Sequence, residues 1–227
     1  LRTATATSTS TRDIMKKTLI TAALALPLLA SAQNLLTNGS FESGLTGWTV
    51  TNGPATVYPV STVEYNALPG AFGEIVPPDN NASNISPDAV GMFAAYFVDD
   101  AATQSISQEF TVVDGGLYNL GLSLYAPLNG SLNLGDVTLT LSYPGGLEVV
   151  PLSGFTAQVW FGNTVTRDLA AGVYTFSITF APQGTDFGKD LLVDRVHVTA
   201  VPEPGTYALF AAGLGIMGLV AARRRRD

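Results

Sequence analysis

The sequence contains no cysteine and a single histidine, His197. The first absence excludes a disulfide framework, a thiolate metal site and a cysteine nucleophile; the second excludes a histidine-rich metal centre. Positive charge is also scarce where it would matter. Arg2, Arg12, Lys16 and Lys17 lie near the start of the chain and Arg223 to Arg226 at its end. Between Gln33 and Val201 only Arg167, Lys189 and Arg195 face fifteen Asp and Glu, a formal charge of −12 against −7 for all 227 residues. So anionic a surface repels phosphate backbones and argues against a nucleic-acid partner. It is compatible with solubility, divalent cations or neutral sugars.

Both ends read as routing segments. Residues 1–14 have no apolar periodicity, precede Met15, and are taken as a disordered leader or a misplaced start. Met15-Lys16-Lys17, an apolar run to Leu29 and Ala30-Ser31-Ala32 make a secretory signal helix over residues 15–32, cleaved by signal peptidase after Ala32. At the other end, Pro202-Glu203-Pro204 precedes an uncharged stretch, residues 207–222, and then Arg223, Arg224, Arg225 and Arg226. As a helix, that stretch is about 24 Å long, close to the thickness of a hydrocarbon core. The arginines would keep its end in the cytoplasm.

Pro-Glu-Pro, a Gly-rich apolar helix and a terminal arginine cluster together resemble the PEP-CTERM sorting signal of Gram-negative envelope proteins. The resemblance covers residues 201–227. It implies export through the inner membrane, transient anchoring, and processing near Pro-Glu-Pro by an exosortase-type membrane protease, often alongside exopolysaccharide production. Gly213, Gly215 and Gly218 also satisfy Gly-x-Gly-x-x-Gly. A dinucleotide site needs a preceding strand and an acidic residue some twenty positions on, so these glycines are assigned to the membrane helix.

Residues 33–200 alternate with period two. Tyr118 to Leu124, Val137 to Tyr143 and Tyr174 to Phe180 are the clearest half-buried strands. Further strands are expected at Thr49–Val50, Val57–Val60, Ala71–Val76, Ala89–Val98, Ile106–Val113, Leu147–Leu152, Phe155–Phe161 and Leu191–Thr199, with Gly- and Pro-containing turns between them. The pattern predicts an all-β fold, a single antiparallel β-sandwich of jelly-roll type. The opening Asn34 to Glu42 with Gly47-Trp48-Thr49, the hairpin Ser107 to Leu120, and the closing Leu192-Val193-Asp194-Arg195-Val196 resemble galactose-binding-like jelly rolls of the carbohydrate-binding-module type. Arg195 departs from the Asp-Asn-Val more usual there.

Alternation places Asp194 on one face with Leu192, Val196 and Val198, and a carboxylate in an apolar set needs a cation or several donors. Calcium, which takes six to eight oxygens, would answer that need. The jelly-roll resemblance implies a structural calcium between opening loop and last strand, with Glu42 and Asp194 as carboxylate ligands and carbonyls near Asn38 and Ser40 completing the shell. The competing reading has Asp194 hydrogen-bonded to the first loop. His197 is expected on the opposite, solvent face with Arg195 and Thr199. No Gly-x-Ser-x-Gly elbow or His-Glu-x-x-His motif is present, so no catalytic residue is assigned.

For sugar recognition, aromatic rings matter most, because a ring can stack on a pyranose face. If Phe155, Ala157, Val159 and Phe161 point inward, Trp160 lies on the polar side; Tyr58, Tyr65 and Tyr96 are further loop or strand-end candidates, and Trp48 is expected in the core. The expected protein is a non-enzymatic envelope or matrix β-sandwich that binds exopolysaccharide. A structural protein without a ligand site and a glycoside hydrolase are the alternatives.

Overall fold

The computed structural model describes residues 33–128, 137–143, 146–150, 156–182 and 189–202, together with 213–215, 217, 218 and 223. The leader, the signal segment with Ala32, the motif residues Glu203 and Pro204, and Arg224 to Arg226 lie outside the described residues. So does most of the expected membrane helix; Gly213 to Gly215, Met217 and Gly218 within it are helical. Among the described residues no helix is long and apolar enough to cross a membrane.

Among the described residues, ten strands run β1 Thr49–Asn52, β2 Ser61–Glu64, β3 Phe93–Phe97, β4 Gln104–Val112, β5 Gly116–Tyr125, β6 Val137–Tyr143, β7 Gly146–Val150, β8 Phe161–Leu169, β9 Gly172–Phe180 and β10 Leu191–Ala200. They form two five-stranded sheets, ordered β1-β4-β9-β6-β7 and β2-β3-β10-β5-β8, with antiparallel pairing throughout. The expected β-sandwich is therefore found.

Period-two alternation builds its core. Ile106 and Phe110 of β4, Phe176, Ile178 and Phe180 of β9, and Leu139 and Leu141 of β6 face Leu120, Leu122 and Leu124 of β5 and Val193, Val196 and Val198 of β10. Each fully buried side chain of this size contributes roughly 1.5–3 kcal/mol through removal from water. Outward, the first sheet presents hydroxyls: Thr49 and Thr51 of β1, Ser105 and Ser107 of β4, Thr175, Ser177 and Thr179 of β9, and Thr138 and Thr140 of β6. At the far edges, Glu148 of β7 accepts from the Arg167 guanidinium of β8, joining the two sheets.

Two buried glutamines fasten loops to this frame. Gln108 accepts from the Thr37 amide at 2.6 Å and donates to the Thr37 carbonyl at 3.0 Å, while Gln104 donates to the Tyr58 carbonyl at 2.7 Å.

Three expected strands are absent. Val57 and Tyr58 direct their amides to the Asp99 carboxylate instead of a ladder, and Ala71 to Glu74 closes on itself as a tight turn. Ala157 to Trp160 is a turn with Gln158 at φ 60°; Phe155 lies outside the described residues. The strand missed there, β8, pairs only with β5 and mixes Asn163, Arg167 and Asp168 with Val165 and Leu169, so no apolar period marks it.

In β10 a bulge lies between Asp194 and His197, with Arg195 at φ 50°. The extra residue switches the faces. Leu192 and Asp194 turn away from the sandwich core, Val196 and Val198 turn into it, and His197 joins the outer side over Gly121. A Cβ at Gly121 would stand 2.5 Å from the Asn163 carbonyl oxygen and 2.6 Å from His197 Cε1. Gly121→Ala is expected to destabilise the protein by about 1–3 kcal/mol, as overpacking does, in denaturant unfolding; an unchanged midpoint would show that β5 and His197 separate freely.

Candidate functional site

The connection between β2 and β3 folds back across the outer face of the second sheet. Tyr65, Ala71 and Val76 from it pack with Val63, Ala94, Tyr96, Val98, Tyr125, Trp160 and Leu192 into a second apolar layer. This layer accounts for Trp160, which was expected on the polar side. The indole is only 7% exposed, whereas Val159 beside it is 55% exposed. Its Nε1 donates to the Pro77 carbonyl at 2.7 Å, its own carbonyl accepts from the Asn81 amide group, and its ring meets those of Tyr65 and Tyr125 at 5.9 and 5.3 Å. Trp160 thus holds the loop down and offers no open face for stacking. Tyr65 is buried in the same layer.

Beneath the loop lies Asp194, fully buried. Its Oδ2 accepts from the Tyr65 hydroxyl at 2.5 Å and its Oδ1 from the Arg195 amide at 2.6 Å. Burial pushes the carboxyl up to about 9, against the opposing pull of those two hydrogen bonds. Asp194 therefore carries its proton at neutral pH. Arg195, half-buried, reaches the Asn84 carbonyl at 3.1 Å and those of Asn81 and Ser86 at 3.4 Å, and sits 3.8 Å from Asp79.

His197 is also fully buried, not solvent-facing as expected. Its Nδ1 lies 3.1 Å from the Arg195 carbonyl oxygen, and burial lowers its pKa, favouring the neutral ring. The bulge explains both corrections to the predicted faces.

The opening loop and the last strand do lie together, through Val196 N to Gly39 O at 2.9 Å and Leu35 N to Val198 O at 2.8 Å. The four residues expected around calcium have protein partners or places of their own. Glu42 accepts from the Met92 and Phe93 amides at 2.7 and 2.9 Å. The Asn38 side chain bridges Ser43, Gly44 and Thr46, its carbonyl accepts from Trp48 Nε1 at 3.1 Å, and Ser40 is buried in the loop. Trp48 is in the core as expected. Among the described residues no three of His, Asp and Glu are grouped to hold a metal ion.

The open feature is at the other end of the same sheet face. A cavity of about 470 Å³ is lined by Tyr58, Pro59, Ser61, Pro69, Gly70, Phe72, Tyr96 and Val98. The Tyr58 and Phe72 rings stand edge to face, 5.9 Å apart at 84°, and are 53% and 57% exposed.

Tyr58 is positioned by Asp99, whose Oδ2 takes the Val57 and Tyr58 amides at 2.6 and 3.0 Å while Oδ1 takes those of Ala101 and Ala102 at 2.9 and 2.8 Å. Burial acts to raise the Asp99 pKa, and these four amides outweigh it and hold the group ionised below its ordinary value. Of the aromatic residues singled out from sequence, Tyr58 and Tyr96 meet in this cavity and Tyr65 and Trp160 do not. Phe72 was not foreseen. Its setting, Pro69-Gly70-Ala71-Phe72-Gly73, was the available signal: a ring within a Pro- and Gly-flanked turn has no strand to bury it.

The tail has a counterpart among known sequences. Residues 200–226 match the PEP-CTERM protein-sorting motif. That motif marks the protein as secreted with a C-terminal sorting signal. No curated protein matches the chain. Among solved structures, TmCBM61 in complex with β-1,4-galactotriose is 19% identical with a TM-score of 0.50, covering 75% of this chain and 100% of that one. A family 16 carbohydrate-binding module is 17% identical with a TM-score of 0.48, covering 73% and 99%. The fold is thus that of a carbohydrate-binding-module jelly roll.

Two measurements test these assignments. Because the folded Asp194 holds its proton far above the ordinary carboxylate value near 3.8, the native state binds one proton more than the unfolded chain across the interval up to about 9. Its contribution is complete below the unfolded pKa and is lost as pH rises through the folded one. Asp194→Asn is expected to flatten the fall in melting temperature between those limits; a wild-type slope in the variant would contradict a protonated Asp194. For the calcium expectation, calorimetry after chelation and calcium addition is decisive: a raised melting temperature requires Glu42 or Asp194 to exchange its present donors for the ion, and an unchanged one rejects the site.

Proposed function

We propose that this protein is an exported, non-enzymatic glycan-binding β-sandwich whose contact with extracellular polysaccharide is made at the Tyr58–Phe72 cavity. The observation carrying this reading is the pair of exposed, mutually perpendicular rings over an otherwise apolar depression, with the backbone of Tyr58 held in place by the buried side chains Asp99 and Gln104. Rigid aromatic faces beside a few polar groups suit a sugar, whose axial hydrogens pack on a ring while its hydroxyls take Ser61 or solvent. The buried acids Asp194 and Asp99 and the buried His197 have positioning roles, which supports binding over hydrolysis. Signal peptidase would release the amino end after Ala32, and an exosortase-type protease would act at Pro202-Glu203-Pro204. Residues 207–222 would tether the chain to the inner membrane until then. The product would act at the outer surface or beyond, with exopolysaccharide as its target.

A purely structural matrix protein would have no need of these rings. Tyr58→Ala and Phe72→Ala separate the two, since both rings are more than half exposed and contribute little to the core. Each substitution is expected to weaken retention on the producing cell's exopolysaccharide by about 1–2 kcal/mol with the melting temperature unchanged. No retention of the unaltered protein, or equal retention of both variants, would reject the cavity as the contact.

A further inference from the structure

The inner wall of the cavity differs chemically from its rim. Tyr96 lines the cavity and is 6% exposed, and the Asp190 carboxylate at the start of β10 is 2% exposed. The Tyr96 hydroxyl faces Asp190, yet neither that hydroxyl nor Asp190 Oδ2 makes a well-formed hydrogen bond. Glu74 on the covering loop and Asp100 just after β3 add negative charge around the same point. Lys189, adjacent to Asp190 in sequence, is buried, and its amide donates to Asp100 at 2.7 Å.

Burial first, and then the charges of Asp190, Glu74 and Asp100, push the Tyr96 phenol up. Burial likewise lifts Asp190 to about 6, with Asp100 and Glu74 acting in the same direction and the Tyr96 hydroxyl against them. Two observations therefore coincide: aromatic faces open to solvent, and behind them a buried carboxyl group whose Oδ2 has no well-formed hydrogen bond. Both favour a cation. A positive charge is attracted to the face of a tyrosine or phenylalanine ring and to the carboxylates beyond Tyr96.

We propose that this cavity selects amine-bearing sugar units, 2-amino-2-deoxyhexoses in protonated form, over their neutral and N-acetylated counterparts. The selectivity rests on the glycan-binding reading of the same cavity and adds its ligand class. An acetylated or hydroxyl-only unit can stack on Tyr58 but brings no charge to Asp190. An ammonium group does both.

The test is calorimetric titration of the secreted protein with β-1,4-linked glucosamine hexamer and with N-acetylglucosamine hexamer, in neutral buffer, where Asp190 is charged, at low salt. The amine-bearing hexamer is expected to bind roughly tenfold tighter, with the preference shrinking as added salt screens the attraction. Asp190→Asn should reduce the preference and spare binding of the acetylated hexamer; if that variant fails to fold, Glu74→Gln is read in its place. Equal or tighter binding of the acetylated hexamer, or a preference unaffected by both variants, overturns the selectivity while leaving glycan binding intact. No binding of either hexamer, or binding of an oligolysine peptide without binding of sugar, overturns the selectivity, while the glycan-binding reading stands or falls on retention by exopolysaccharide.

Discussion

The placement of one carboxyl group organises half of this molecule. Asp194 lies in a strand that is covered on both faces, where burial favours its neutral form and hydrogen bonds from Tyr65 and the Arg195 amide hold it in place. The bond from Tyr65 fixes the start of the β2–β3 connection, and the neighbouring Arg195 takes up carbonyls further along the same connection. The bulge that turns Asp194 outward also turns Val196 and Val198 into the core. Trp160 then finds a layer to fill, and the turn bearing Phe72 sets its ring edge to face with that of Tyr58. The exposed rings of the cavity are thus a remote result of burying a polar group under a loop.

Legibility from sequence followed the physics of each element. Strands with one face in the core, such as β5 and β9, advertise themselves because burial demands alternation. Strand β8 did not, because an edge strand pairs on one side and tolerates Asn163, Arg167 and Asp168. Asp194 stood out as a carboxylate among apolar neighbours, but its face was misassigned because a bulge adds a residue without changing composition. The same slip sent His197 to the solvent. Trp160 was misplaced for a related reason: a positive φ at Gln158 breaks the alternation on which its orientation was judged. The tail was legible for the opposite reason, since a sorting signal is read as linear sequence and needs no tertiary context.

The two outer faces of the sandwich are chemically unlike. One is roofed by a loop with its own apolar layer and carries the aromatic cavity. The other is lined, among the described residues, by serine and threonine hydroxyls on four adjacent strands. Short polar side chains on an open sheet keep it hydrated and leave few large apolar groups for another sheet to pack against. Negative charge acts in the same sense at longer range, keeping copies of the protein apart.

Asn34 pairs with Thr199 of β10, and the Val201 amide donates to the Leu117 carbonyl, so the sandwich begins and finishes on neighbouring strands of one sheet. A pull on the chain beyond Val201 would meet its first resistance at that closing hydrogen bond, with Pro202 already exposed past it. Severing the chain beyond Pro202 would leave that bond in place.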